Sequence, residues 1–300
     1  MILVTGGTGF VGRNIVRLLV EKGQQVRCLV RETSPRDVLD GVDVDFCTGD
    51  ILVPDTLKEA FNGIDTVIHL VGIIKEIKGA TFERIHAEGT KNILDASKNA
   101  EIKKYIHMSA LGTRPDGISR YHKTKWQAEE AVRNSGLKYV ILRPPIICGA
   151  DDEFVNMFAK MIKQTFITRI IPVIGKGKSR MQPIYVGDVA HCFYEAAVND
   201  NISDKTYEIG GPDAISFNKI LDTIMKVMQK NRFKMHLPVA MFKPLAFLME
   251  KLSASFRVKP PLNRDQLIML REDNVCDITE MKRDFKIQPK PFEDTIRTYL

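Results

Sequence analysis

The sequence predicts an α/β fold built on a doubly wound parallel sheet, and three observations carry that expectation. Short apolar, strand-like runs alternate with helical patterns through the first two-thirds of the chain. The first run, Ile2-Leu3-Val4, opens directly into a glycine-rich turn and then an amphipathic helix. At 300 residues the chain can bury a sizeable core, either as one large domain or as a domain with a cap.

In order, the strands fall at 2–5, 25–30, 42–47, 65–71, 104–109, 138–143 and 206–209, which makes about seven. Helical patterns fall near 10–22, 55–62, 80–98, 119–135, 188–198 and 216–230. The first turn, Thr5-Gly6-Gly7-Thr8-Gly9-Phe10-Val11-Gly12, sets three glycines in a G-x-x-G-x-x-G spacing between strand and helix. Glycine at these points lets the turn tighten, lets a pyrophosphate approach the backbone and lets helix pack on strand. The free N–H groups and positive dipole end of the helix then face the phosphates of a dinucleotide. A merely structural turn is the alternative, and the strand–turn–helix context weighs against it.

The second strand ends at Arg31, where an NAD site usually carries a carboxylate for the ribose hydroxyls. A guanidinium there favours a 2′-phosphate, with Arg13 and Arg36 able to assist, so NADP(H) is expected ahead of NAD(H). Gly49-Asp50-Ile51 follows the third strand, where Asp50 can bond the adenine amino group or simply close an Asx turn. His69 closes the fourth strand and reads as a satisfied core histidine. Tyr121 and Lys125, four apart on a helix beginning near Ser119, share one face. A nearby ammonium is expected to lower the phenol pKa from about 10 toward neutrality. Such a tyrosine can exchange a proton with a carbonyl or carbinol while hydride moves to or from nicotinamide.

Apolar content of 44% and charged content of 27% describe an ordinary globular chain. The net charge of +7 suits an anionic ligand or acidic surface. The basic residues are scattered and no nucleic-acid motif is present, so no nucleic-acid partner is expected. The five cysteines include no C-x-x-C pair and no metal site is expected; their odd number and the lack of a signal peptide point to a cytoplasmic protein. No uncharged apolar run is long enough to cross a bilayer.

Together the stretches Thr5 to Gly12, Gly49-Asp50, Tyr121-x-x-x-Lys125 and Leu142-Arg143-Pro144-Pro145 resemble those of an extended or atypical short-chain dehydrogenase/reductase of the Rossmann superfamily. Within it the chain looks like bacterial relatives of the NADPH-binding accessory subunit of respiratory complex I. Met108 to Gly112, Gln182 to Ala190, Thr206 to Pro212, Asn263 to Leu267 and Asp273-Asn274-Val275 support that likeness. The resemblance implies that Tyr121 is the acid/base, that Lys125 holds the nicotinamide ribose, and that Pro144 and Ile146 pass beside the nicotinamide. It implies further cofactor contacts from Gly6, Thr8, Gly9, Phe10, Val11, Gly12, Arg31, Arg36, Asp50, Ile51, Leu70, Val71, Gly72 and Ser109.

Two positions depart from the family pattern. Ala110 stands where these enzymes place a Ser or Thr, with Ser109 one residue early and Thr113 close by as a candidate. His86 stands where many relatives carry Asn, either to hold a proton-relay water or to cap and pack. The resemblance also divides the chain into a nucleotide domain, 1–148 with 182–212, and a smaller, mostly helical substrate or cap domain, 149–181 with 213–300. Asp188, in the returning segment, is expected to cap a helix. An apolar stretch at 234–259, bordered by Lys and Arg, reads as core and pocket wall or as an interfacial membrane segment.

These readings imply an NADP(H)-dependent oxidoreductase acting on a lipophilic carbonyl, alcohol or quinone-like compound. A second possibility is a non-catalytic NADPH-binding assembly subunit of a respiratory membrane complex, peripheral at the inner face of the membrane. A third is a sugar-nucleotide epimerase or dehydratase.

Overall fold

In the computed structural model the described residues are 1–77, 79–238, 264–270 and 272–300. In chain order the elements are β1 (Ile2–Thr5), α1 (Phe10–Glu21), β2 (Val26–Val30), β3 (Asp45–Thr48), β4 (Thr66–His69), α2 (Gly89–Asn99), β5 (Lys104–Met108), α3 (Arg120–Arg133) and β6 (Tyr139–Arg143). They continue with α4 (Glu153–Gln164), β7 (Ile170–Ile174), α5 (Val186–Val198), β8 (Lys205–Glu208), α6 (Phe217–Val227), β9 (Phe233–Leu237), α7 (Arg264–Met269), α8 (Thr279–Asp284) and α9 (Phe292–Ile296).

Seven strands form one parallel sheet in the order β8-β6-β5-β4-β1-β2-β3. This is a Rossmann-like, doubly wound arrangement, and the order reverses between β1 and β4, where such sheets open a ligand crevice at their C-terminal edge. The central strands β1 and β4 are buried along their whole length because both faces are covered, while the edge strands β3 and β8 are partly exposed. On one face Val4, Cys28 and Ile68 pack with Ile15 and Leu19 of α1 and Val189 and Phe193 of α5. On the other, Leu3, Leu29, Val67, Tyr105 and Ile141 pack with Ile93 and Leu94 of α2 and Val132 of α3.

A third core lies beyond the sheet, where Val155, Phe158 and Ile162 of α4 meet Ile220, Leu221 and Ile224 of α6 and Ile171 and Val173 of β7. The Asp152 side chain caps α4 by accepting from the Val155 N–H at 2.5 Å. Parallel β7 and β9 pair as a separate two-stranded ribbon, Phe233 opposite Ile170.

The tail returns to the sheet. Ile278, Met281, Phe285 and Ile287 are buried in the same core as Ile2 and Val4. The Asn274 amide donates to the Leu111 carbonyl at 3.0 Å, and the Tyr207 hydroxyl donates to Asp284 at 2.9 Å.

Three expectations are corrected. The helix expected at 55–62 is two short 3₁₀ turns, Pro54–Thr56 and Lys58–Phe61. So short a segment gains little by propagating an α-helix, and the Thr56 hydroxyl bonds the Val53 carbonyl at 2.7 Å instead. The helix expected over 80–98 opens with a π-turn, Glu83–Glu88, before α2 begins. Asp188 does not cap α5: Tyr185 holds that position, and Asp188, in the first turn, accepts from the Lys290 N–H at 2.7 Å. The apolar stretch 234–259 lies outside the described residues beyond Pro238. No helix among the described residues is long and apolar enough to cross a membrane.

Candidate functional site

The glycine turn forms the floor of the crevice. Gly6 has φ +77°, a left-handed conformation that glycine adopts without strain. A Cβ at Gly12 would stand 2.1 Å from the Gly6 carbonyl oxygen, so α1 can lie this close to β1 only with glycine there. Gly9, exposed, precedes α1 with no side-chain cap, which leaves the N–H groups of the first helical turn directed at the crevice. Thr8, Phe10 and Val11 are half-buried beside it. This cradle fits a dinucleotide pyrophosphate, because a Cβ would fill it and the helix end supplies donors.

Along the C-terminal edge, Arg31 and Arg36 are exposed past β2. The Arg36 guanidinium donates to Thr48 Oγ1 at 2.9 Å and lies 5.6 Å over the Phe46 ring. Arg13 points elsewhere, in a 2.6 Å ion pair with Asp151, so it does not assist at the β2 edge. Asp50 closes an Asx turn, accepting from the Leu52 N–H at 2.9 Å. The Ile51 carbonyl accepts from the Asn92 side chain at 2.8 Å. Leu70 extends β4, its N–H donating to the Thr5 carbonyl at 3.1 Å.

From there the glycine turn connects to the helix that carries Tyr121 and Lys125. A Cβ added to Gly6 would stand 3.3 Å from Val71 Cγ2, and one added to Gly72 would stand 3.1 Å from Lys125 Nζ. Ser119 caps α3 by accepting from the His122 N–H. Lys125 is 3% exposed, and its ammonium donates to the Met108 carbonyl at 2.9 Å. Burial drives its pKa down to about 8, against a smaller upward pull from Glu129.

Tyr121 is buried against Phe82, His86 and His122, with ring centroids 5.4–5.8 Å apart. Burial pushes its phenol up to about 12, opposite to the expected lowering. Desolvation alone sets that direction, and the Lys125 ammonium bonds the Met108 carbonyl.

The two departing positions are also placed. Ser109 donates to the buried Glu129 carboxylate at 2.5 Å and lies 3.4 Å from the Thr113 hydroxyl. Glu129 in turn accepts from Arg143 at 2.8 and 2.6 Å and from Arg133. His86 Nδ1 meets the Thr124 hydroxyl at 2.9 Å, and its Nε2 lies 3.0 Å from the Ile73 carbonyl oxygen. The ring is packed, and burial lowers its pKa to about 2. His69 is a satisfied core histidine, 2.7 Å from the Thr5 hydroxyl and 3.2 Å from that of Thr90. On the far side Pro144 is buried, its carbonyl accepting from the Leu111 N–H at 2.9 Å, and Ile146 is half-buried.

Sequence reasoning missed Glu129. The signal was present, since Tyr121, Lys125 and Glu129 step by four along one face of α3.

Known proteins are similar to this chain in sequence and fold. Residues 2–210 match the NAD dependent epimerase/dehydratase family. The chain is 31% identical over 301 residues to the NADH dehydrogenase [ubiquinone] 1 alpha subcomplex subunit 9, mitochondrial, of Arabidopsis thaliana, covering 95% of this chain and 73% of that protein. It is 31% identical over 191 residues to the ceramide reductase of Caulobacter vibrioides, covering 63% of this chain and 58% of that one. In fold it resembles the UDP-glucose 4-epimerase of Thermotoga maritima, with a TM-score of 0.76 and 20% identity over 99% of this chain and 96% of that one. A dinucleotide cradle at the sheet's switch point, with a matching family over its whole nucleotide-facing length, leads to one conclusion: the chain belongs to the NAD dependent epimerase/dehydratase family.

Proposed function

We propose that the protein is an NADP(H)-dependent oxidoreductase acting on a lipophilic carbonyl, alcohol or quinone-like compound. The observation that supports this reading is the nearness of Gly6 to Val71 and of Gly72 to the Lys125 ammonium, with Tyr121 one turn earlier on α3. The cofactor supplies hydride chemistry when bound. Lys125 would hold its ribose, and Tyr121, with a pKa near 12, would serve as proton donor to a developing alkoxide. Arg31 and Arg36, both exposed at the β2 edge, favour a 2′-phosphate over free ribose hydroxyls. A lipophilic substrate is consistent with the ceramide reductase likeness and with the apolar composition of the cap.

One observation favours a second reading, a non-catalytic NADPH-binding subunit attached to a respiratory complex. Ser109 is tied to Glu129 inside the protein, so it is not free to orient a substrate oxygen. The likeness to the Arabidopsis subunit supports the same reading. Native mass spectrometry of the purified protein, followed by a carbonyl and quinone library, separates the two. Bound NADPH that a library member oxidises supports the oxidoreductase. Bound NADPH that none oxidises supports the subunit, and a preference for NADH overturns the cofactor assignment.

A further inference from the structure

Parallel strands are ordinarily covered on both faces, yet among the described residues one face of the β7–β9 ribbon carries partly exposed apolar side chains. Ile171 and Val173 point into the third core, fully buried. Their neighbours point out: Ile170 is 36% exposed, Phe233 71% and Met235 39%. Because the register sets Phe233 opposite Ile170, these side chains share one face.

The turn leading into β7 extends that face. The Arg169 N–H bonds the Thr165 carbonyl at 2.9 Å and the Phe233 N–H bonds the Arg169 carbonyl at 2.7 Å, which closes the turn at the base of β9. At its tip Phe166 and Ile167 are 67% and 79% exposed. Two large apolar side chains at a tip, continuous with the partly exposed side chains of the ribbon, form a patch rather than scattered surface residues.

The chain on either side of these strands is basic. Between 154 and 187 the sequence holds six Lys or Arg and no Asp or Glu, and between 223 and 238 it holds four and none. Several of these cations are tied up within the fold, as Lys234 is with Asp222 at 2.6 Å. Lys160, Lys163, Arg169 and Lys230 are exposed and form no ion pair among the described residues. An exposed apolar tip in a basic part of the chain, with exposed cations on the adjoining segments, suits one kind of surface above others. Apolar side chains sink to the boundary between headgroups and acyl chains while Lys and Arg meet anionic headgroups.

We propose that the turn at 165–169 and the outer face of the β7–β9 ribbon dock the protein on an anionic lipid bilayer. The surface is built from the cap and is independent of the reaction assigned to Tyr121.

The test is flotation of the full chain with vesicles of equal parts phosphatidylcholine and phosphatidylglycerol, against vesicles of phosphatidylcholine alone. The expected result is flotation only with the anionic vesicles and partial release as salt rises, because the apolar contact resists salt. The triple variant Phe166→Ser, Ile167→Ser, Phe233→Ser should lower the floated fraction about tenfold while keeping the melting temperature and NADPH affinity. Flotation that is absent in the unmodified protein, or equal in the triple variant, overturns the proposal. A marked fall in melting temperature also overturns it, because the face is then packed beneath another part of the chain. Light scattering that shows a dimer which the variant dissolves, with no flotation by either, assigns the face to a second copy instead.

Discussion

Lys125→Met should make the protein more stable at neutral pH, although it removes the residue assigned to the ribose. In the folded protein the ammonium is buried, and its pKa falls from 10.5 to about 8. Holding that proton in the fold therefore costs roughly 3 kcal/mol at pH 7. Methionine fills a similar volume without the charge, and the loss of the bond to the Met108 carbonyl costs about 1 kcal/mol. The expected net gain is roughly 2 kcal/mol.

The sign reverses the usual ion-pair case. Between about 8 and 10.5 the unfolded chain binds more protons than the folded one, so the unmodified protein gains stability as pH rises through that window. The variant lacks this rise, so its advantage should fade to about zero near pH 10. Urea unfolding of both proteins at the two pH values measures the difference, and other titrating groups cancel. A variant less stable than its parent at pH 7, or an advantage that does not change with pH, would refute the reasoning. If the gain is found, a destabilising cation is being kept in place for something other than stability.

Three further outcomes follow from the geometry. Arg31→Asp should weaken NADPH by about 2 kcal/mol and NADH far less, read by fluorescence titration; equal affinities of the unmodified protein for both cofactors would remove the 2′-phosphate assignment. Tyr121→Phe should abolish turnover and leave NADPH affinity unchanged, since only the hydroxyl is lost from a packed ring; full activity in that variant would displace Tyr121 as proton donor. Glu129→Gln should destabilise the fold by about 3 kcal/mol, because Arg143 and Arg133 lose a buried counter-charge; a thermal melt within a degree of the parent would mean the cluster is solvated.

The sheet was legible because its inner strands are largely buried, and runs such as Ile2–Val4 and Val140–Leu142 show it as consecutive apolar residues. The glycine spacing and the Tyr121–Lys125 step likewise belong to local geometry. What escaped the sequence depends on depth and on distant partners. Spacing places Tyr121 and Lys125 on one face but does not say that both are desolvated, which reverses the expected direction of the tyrosine pKa. The stretch from Phe154 to Ile174 is rich in apolar residues, and its sequence alone does not say which of them are buried. In the fold Val155, Phe158, Ile162, Ile171 and Val173 go inward, while Phe166, Ile167 and Ile170 go outward. That division follows from α4 packing on α6 and from β7 pairing with β9, partners that come much later in the sequence.

The return of the tail to the sheet bears on how the chain reaches this structure during synthesis. Met281 and Phe285 are fully buried in the core that Ile2 and Val4 open, so that core stays incomplete until residues near 285 have left the ribosome. A chain that must join its first strand to one of its last helices has high contact order, and folds slowly for that reason. Until then the face of α5 that receives Phe285 is uncovered, and a nascent chain stalled near residue 212 would present it to chaperones or to aggregation.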